Sequence, residues 1–135
     1  MAIQLSVAAR NARLDAIETA AGATAILRIR TGAQPATCAT ADSGTILSAM
    51  TLPADYMAAA SGGAKAKSGT WEDAAADAAG TAAHFRIYDS AGTTCHLQGS
   101  VSATGGGGDL EVNNVVLAVG QTVTITSFTL TDGNA

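Results

Sequence analysis

Over most of the chain, apolar and polar side chains alternate with a period of two residues, which is typical of β-strands that bury one face. The alternation predicts strands at residues 23–30, 45–52, 83–88, 95–101, 110–112, 115–118 and 122–131. Residues 54–79 are the part of the chain where the pattern is least legible. About seven strands with short polar turns predict a mainly β protein, a single antiparallel β-sandwich or jelly-roll-like domain.

Residues 83–88 and 95–101 are predicted to form a hairpin. Ser90-Ala91-Gly92 reads as a three-residue loop with Gly92 in the left-handed position, so the register follows from the turn. This register places Phe85 opposite Leu97 and Ile87 opposite Cys95 on an apolar face. The other face is predicted to carry the polar side chains His84, Arg86, Tyr88, His96 and Gln98.

Two further features concern phase and flexibility. In residues 45–52, Ile46 lies in phase with the other inward-pointing side chains. In residues 122–131 the apolar phase changes between Ile125 and Phe128, which predicts a β-bulge near Ser127. Residues 105–108 are all glycine and are predicted to be a flexible connection or hairpin loop.

The N-terminal segment has helical features. Ser6 is a suitable N-cap for a helix from Val7 to about Ala21, and a glycine follows at position 22. Leu14 and Ile17 lie on its narrow apolar stripe, away from the charged Arg10, Arg13 and Glu18. A helix this short is marginal alone, so it must pack on the β-domain or on a neighbouring subunit. We therefore divide the chain into a helical arm, residues 1–22, and a β-sandwich, residues 23–135.

Composition narrows the possible partners. At 135 residues the chain fits one domain, and with 4% aromatic residues its core must rely on aliphatic side chains, supplemented by oligomer contacts. A net charge of −4 argues against binding nucleic acid. No apolar run approaches the roughly 20 residues of a membrane span, and the N-terminus lacks a signal-peptide pattern. These features predict a soluble protein made in the cytoplasm.

The cysteines and histidines do not predict a metal site. A cytoplasmic origin favours free thiols for Cys38 and Cys95, although a bridge between them stays open. Cys95 and His96 are adjacent on a strand and so face opposite sides, while His84 and His96 have no third ligand at metal-site spacing. We expect no metal and no other cofactor.

Other residues that suggest chemistry have simpler structural explanations. The glycine run lacks the Lys-Ser or Lys-Thr of a phosphate-binding loop, and the acids at positions 72, 73 and 77 are predicted to be solvated loop charges. No nucleophile, base and orienting group can be assembled, so we expect no enzymatic activity. Trp71 is predicted to anchor the core or an interface, with ligand stacking as the alternative.

Three groups of residues, 9–18, 80–88, and 103–109 with 119–125, resemble a family of small virion structural proteins of tailed bacteriophages. The resemblance covers most of the chain, but its motifs are structural and carry no residue roles. It implies a protein present in many copies in the virion, bound to the major capsid protein or to neck and tail proteins. We favour capsid decoration and a homo-oligomer, with residues 1–21 docked on a partner or in a helical bundle.

Two other functions stay open. A module that binds host-surface carbohydrate would use Trp71, Tyr88 and the glycine loop, and a small hydrolase ranks last. For an interface with other proteins, we propose side chains from the helix stripe, the tryptophan and the polar sheet face: Leu14, Ile17, Trp71, His84, Arg86, Tyr88, His96 and Gln98.

Overall fold

The structure is a computed structural model that describes residues 3–133. It is mainly β, with 37% strand and 11% helix, and is consistent with a β-sandwich, as the alternation predicted. One helix, α1 (Val7–Ala21), precedes the strands. These are β1 (Ile26–Arg30), β2 (Ile46–Thr51), β3 (Ala64–Ala66), β4 (Glu72–Asp73), β5 (Gly80–Thr81), β6 (His84–Tyr88), β7 (Cys95–Ala103), β8 (Leu110–Val112), β9 (Val116–Leu117) and β10 (Val123–Thr131).

Eight strands form one sheet in the order β2-β1-β6-β7-β8-β10-β3, with β4 also paired to β10, and β5 with β9 forms a small second sheet. The sheet curls so that β2 approaches β4, where Ser48 Oγ donates a hydrogen bond to Asp73 at 2.6 Å. All named pairs are antiparallel except β7 with β8, which run parallel. The expectation of a purely antiparallel sheet was therefore wrong at one pair.

The helix has the predicted bounds and caps. Ser6 Oγ accepts a hydrogen bond from Ala9 N at 3.2 Å, and Gly22, at φ 82°, donates its N–H to Glu18 O at 2.8 Å. The helix packs on the β-domain, which is one of the two packing partners predicted for it.

The face of α1 that docks on the β-domain is more polar than predicted. Leu14 is buried and Ile17 half-buried, as the apolar stripe suggested. However, Asn11 Oδ1 accepts from Gly63 N at 2.9 Å, and Arg10 Nη1 donates to Asp132 O at 3.0 Å. The prediction that Arg10 and Glu18 point away from the packed face was wrong, because they reach the loop and strand residues beside Leu14.

All the aromatic side chains are buried, and four of them form a continuous stack through the core. Trp71 contacts Tyr56 and Phe128 at centroid distances of 6.0 and 5.4 Å, and Phe128 meets Phe85 edge-on at 5.5 Å. The Trp71 indole N–H donates to the carbonyls of Tyr56 and Ser68. Trp71 is thus a core anchor, one of the roles predicted for it.

Local register decides which predicted details hold. The bulge predicted near Ser127 is present, since the β10 register shifts between Ile125 and Ser127. An unpredicted register shift in β2 leaves Leu47 fully buried and Ile46 only half-buried, contrary to the predicted phase.

The hairpin register was wrong. Ile87 pairs with Leu97, and Tyr88 with Cys95 after an irregularity. The turn is longer than predicted, because Asp89 N donates to Thr94 O at 3.0 Å and residues 90–93 form the loop. The Asp89 carboxylate binds the amides of Thr93 and Thr94, which stabilises this longer turn.

The glycine run is an ordered connection rather than a flexible hinge. It connects the parallel strands β7 and β8, and the Glu111 carboxylate accepts hydrogen bonds from Gly105 N and Gly107 N at 3.0 and 3.3 Å. Gly105 and Gly107 have positive φ. A Cβ on Gly108 would lie 2.7 Å from the backbone nitrogen of Ser102. Glycine is therefore required for both conformation and space.

We predict that Gly108→Ala lowers the free energy of unfolding by about 1–3 kcal/mol, because the added methyl group meets backbone that cannot move aside freely. Gly133→Ala is the matched control, since a Cβ there meets nothing within 4 Å. Urea unfolding of the three proteins measures the difference. Equal stability of both variants would show that the glycine loop is not closely packed.

Candidate functional site

The polar face of β1, β6 and β7 lies beneath a loop of the same chain, residues 31–45. The ends of this loop are joined where Thr31 N donates to Thr45 O at 3.1 Å and Thr45 N to Thr31 Oγ1 at 2.9 Å, as in an Ω-loop. Gly44, at φ 71°, stands at this junction, where a Cβ would overlap the Thr31 carbonyl. We call residues 31–45 the covering loop.

Arg86 is the central contact between the sheet and the covering loop. Its side chain is 2% exposed, and Nη1 is paired with the Asp42 carboxylate. Nη2 donates to the carbonyls of Thr37, Cys38 and Thr40 at 3.0, 2.9 and 3.1 Å. One guanidinium thus compensates its buried charge with a carboxylate and closes a turn of the loop at the same time.

The Asp42 carboxylate also binds further donor side chains of the sheet. Arg30 Nη2 lies 2.8 Å from Asp42 Oδ2, and the Tyr88 hydroxyl donates to Oδ1. On the far side of Tyr88, the Arg28 guanidinium stacks 4.6 Å from the ring centroid. Three strand positions therefore converge on one loop carboxylate or on the ring beside it.

This arrangement fixes the protonation of the cluster. Burial is the largest influence on the Asp42 carboxyl and by itself raises its pKa, but the hydrogen bonds from Tyr88 and Arg86 and the charges of Arg30 and Arg86 together outweigh it. The pKa of Asp42 is therefore lowered. Burial and the bond to Asp42 raise the pKa of Tyr88. At neutral pH the carboxyl is ionised and the phenol protonated.

Two other side chains of the polar face bind the covering loop through its backbone. His84 Nδ1 lies 2.9 Å from Gly32 O, and because a carbonyl oxygen only accepts, Nδ1 carries the proton. Gln98 Nε2 donates to Pro35 O at 2.8 Å. His96 is half-buried, and after the hydrogen bonds from Thr93 and Thr94 it makes the smallest contribution to the lowered pKa of Asp89.

The predicted site residues are therefore brought together in part. His84, Arg86, Tyr88 and Gln98 do share a face, but the chain itself covers it, so it is not the open surface that the alternation suggested. Trp71 and Leu14 are buried elsewhere. No sequence pattern pointed directly to Asp42 as the centre of the cluster. The length of the loop between β1 and β2, unusual for a connection without structure of its own, was the available indication.

A second buried charge ties α1 to the sheet. Lys65, 2% exposed on β3, places Nζ 2.7 Å from Asp15 Oδ1, 2.8 Å from Glu18 Oε2 and 2.9 Å from Ala58 O. These partners use all the donors of an ammonium group. Burial lowers the pKa of Lys65, but the hydrogen bonds to Asp15 and Glu18 outweigh burial and the pKa is raised. Lys65 therefore stays charged at neutral pH.

Glu72 and Asp73, predicted to be solvated loop charges, instead lie in strand β4 and accept hydrogen bonds within the fold. Asp73 accepts from Ser48 Oγ and caps Ala75 N, and Glu72 accepts from Thr124 Oγ1 at 3.1 Å. Asp77 is exposed, as predicted for a loop charge. Within residues 3–133, no three or more His, Cys, Asp or Glu side chains are grouped so that they could hold a metal ion.

Beside the Arg86 and Asp42 pair lies a cleft of about 270 Å³ between the covering loop and the β6–β7 hairpin. Its lining includes the side chains of Cys38 and Cys95, both of which are free thiols and half-buried. The thiols were predicted to be free, and the structure brings them to the same cleft.

No protein-family model, curated protein or solved structure matches this chain. The resemblance to virion proteins therefore stays a prediction, and function must be argued from the geometry above. In the part of the chain that the structure describes, no helix has both the length and the apolar character needed to cross a membrane.

We predict that Asp42→Asn lowers the free energy of unfolding by roughly 2–4 kcal/mol, because it leaves Arg86 buried without its counter-charge. The cost is kept moderate by water that reaches Asp42, whose side chain is 35% exposed. Tyr88→Phe removes only one hydrogen bond and should cost about 1 kcal/mol. Asp77→Asn, at an exposed carboxylate, is the control, and denaturant unfolding is the measurement. A loss no larger than that of the control would contradict the central role of Asp42.

Acid should destabilise the protein in a defined range. A carboxyl with a lowered folded-state pKa contributes stability that is complete above its unfolded value, about 4, and is lost as pH falls through the folded value. Asp42 has such a pKa, as do Asp15 and Asp89 through hydrogen bonds from Lys65 and Thr93. We expect the unfolding free energy to fall steeply below about pH 4 and Asp42→Asn to lose less over that range. Urea titrations at stepped pH test this, and parallel slopes would exclude Asp42 as a cause.

Proposed function

We propose that this protein is a non-enzymatic structural protein of a tailed-bacteriophage virion, bound to the capsid surface as a decoration protein. The observation that carries the proposal is the use of charged side chains. The most deeply buried of them, Arg86 and Lys65, are bound by carboxylates and carbonyls of the same chain. Groups that catalysis would use are thus engaged in holding the covering loop and the helix on the sheet.

The buried ion pairs also suit a protein that must keep one shape outside the cell. Exposed charges are screened by salt, whereas buried pairs are screened much less. Arg86 and Lys65 are both 2% exposed on their side chains. Their carboxylate partners Asp42 and Asp15 are 35% and 48% exposed, so the contacts that hold the covering loop and α1 depend less on ionic strength than fully exposed pairs would.

A binding surface must lie outside the polar face. Among residues 3–133, the large apolar side chains that remain exposed are Ile3, just before α1, Val7 at its start, and Val116 and Val119 at β9 and the turn after it. Val7 is 47% exposed and Val116 is 62% exposed. We propose that the start of α1 contacts the major capsid protein or a second copy of this chain, in keeping with the role predicted for residues 1–21.

The aromatic residues on which the carbohydrate-binding alternative depends are not accessible to a ligand. Trp71 is 1% exposed and packed between Tyr56 and Phe128, and the Tyr88 hydroxyl is bound to Asp42. Neither ring offers a face on which a sugar could stack. A position in the neck or tail differs from decoration only in the partner, and the following experiment separates the two.

The first test locates the protein in intact particles. Electron microscopy of virions labelled with an antibody to this chain should show label distributed over the head. Label confined to the neck or tail would replace decoration with the alternative position. Particles without label, from lysates that contain the protein, would overturn a virion role altogether.

The second test concerns the contact at the start of α1. We predict that Val7→Asp reduces incorporation into particles at least tenfold without reducing stability, because an acidic side chain in the first helical turn interacts favourably with the helix dipole. Ala8→Asp places the same charge in the same turn at an exposed small residue and is the control. The ratio of this protein to the capsid protein in purified particles gives the result. Equal incorporation of all forms would exclude Val7 as a contact.

A further inference from the structure

Cys38 and Cys95 are far apart in the sequence, but the fold brings Cys38, in the covering loop, next to Cys95 on the β6–β7 hairpin. Cys38 belongs to the turn whose carbonyls bind Arg86, and its own carbonyl lies 2.9 Å from Arg86 Nη2. Cys95 begins β7 and pairs with Tyr88, the residue two positions after Arg86 on β6. Both cysteines line the cleft of about 270 Å³. The contacts of Arg86 thus fix both cysteines relative to one another.

The environment of the Cys95 thiol keeps it protonated. Burial, and then the hydrogen bond and charge of the adjacent Cys38 side chain, raise the pKa of the Cys95 thiol to about 11, although Arg86 acts in the opposite direction. The charged and titratable side chains of Asp42, Arg86 and Tyr88 line the same cleft as the two cysteines. With such a pKa, on the order of one Cys95 thiol in 10⁴ is ionised at pH 7, so oxidation is slow there.

We propose that Cys38 and Cys95 form an intramolecular disulfide that fastens the covering loop to the β6–β7 hairpin once the protein meets an oxidant. The oxidant we name is a low-molecular-weight disulfide. Its sulfur is attacked by the Cys38 thiolate, which forms a mixed disulfide and releases one small thiol. The Cys95 thiolate then attacks the Cys38 sulfur and releases the second. The cysteines lose two electrons and two protons, which the small disulfide takes up as it becomes two thiols.

The biological setting of this disulfide rests on the proposed function. A virion protein folds in a reducing cytoplasm and is later released into oxidising surroundings. A bond formed only then would lock the covering loop after assembly. It would also close a long chain loop, which stabilises chiefly by restricting the unfolded state.

The test uses the full chain, purified in reductant and then exposed to oxidised glutathione in its folded state at pH 7 and at pH 9. We expect loss of the hydrogen atoms of both thiols by intact mass, a linked Cys38–Cys95 peptide after digestion, and faster formation at pH 9. The midpoint of thermal unfolding should rise by roughly 10 °C. Cys38→Ser and Cys95→Ser should instead keep a single glutathione adduct and show no rise.

The proposal is overturned if the folded wild-type protein yields only glutathione adducts or intermolecular dimers, a result that needs no variant to fold. A separate arm alkylates free thiols in infected cells and in released particles. A bridge in the purified protein together with absence from particles would refute the virion function and leave the disulfide standing. Localisation to the head with free thiols after oxidation would do the reverse.

Discussion

The buried pairing of Arg86 with Asp42 is the interaction on which the conformation of the covering loop depends. Arg86 lies in β6, between β1 and β7, so its charge has no route to water across the sheet. Only the covering loop brings a carboxylate and three carbonyls within reach of it. Burying the guanidinium therefore requires this loop to adopt one conformation, because any other leaves the charge without partners.

The buried charge of Lys65 fixes the position of the helix in the same way. α1 buries little apolar side chain, and Leu14 with Ala21 are its only buried residues. What holds it is a polar stripe: Asp15 and Glu18 bind the ammonium group of Lys65 on β3, and Asn11 accepts a hydrogen bond from the Gly63 amide. A buried ion pair contributes little net stability compared with an apolar contact, but it penalises wrong arrangements strongly. A chain with few large apolar residues thus uses buried charges to specify where the helix and the covering loop dock on the sheet.

Features that depend on neighbouring residues could be predicted from the sequence, and features that depend on distant ones could not. Ser6 and Gly22 define the helix because a cap involves one turn, and the change of phase around Ser127 reveals the bulge in one strand. The hairpin register failed because the Asp89 side chain stabilises a longer turn, a contact that the Ser90-Ala91-Gly92 pattern does not contain. Lys65 resembled a surface residue because its partners are 50 and 47 positions away.

The polar sheet face illustrates this limit most clearly. The alternation was read correctly. The error was to assume that a polar face meets solvent or a partner, because the carbonyls and the carboxylate that compensate it come from a loop that no periodicity describes. Asp42 stands alone among alanine, threonine and serine, so nothing local distinguishes it from a solvated acid. The arginines at alternating positions in β1 and β6 were the indirect sign, since charges on a central strand need partners.

Because the polar side chains of the sheet are used inside the fold, the proposed virion role must rest on the few exposed apolar side chains. The exposed apolar side chains occur in pairs, Ile3 with Val7 and Val116 with Val119. Burying one such side chain contributes about 1.5–3 kcal/mol at most, which is too little for tight binding by a single copy. On a lattice, each copy bound by two small contacts gains from effective concentration, because the second contact forms within an already tethered protein. Such multivalent attachment requires the two contacts to keep a fixed separation, and the buried charge of Lys65 contributes to it by tying α1 to the sheet.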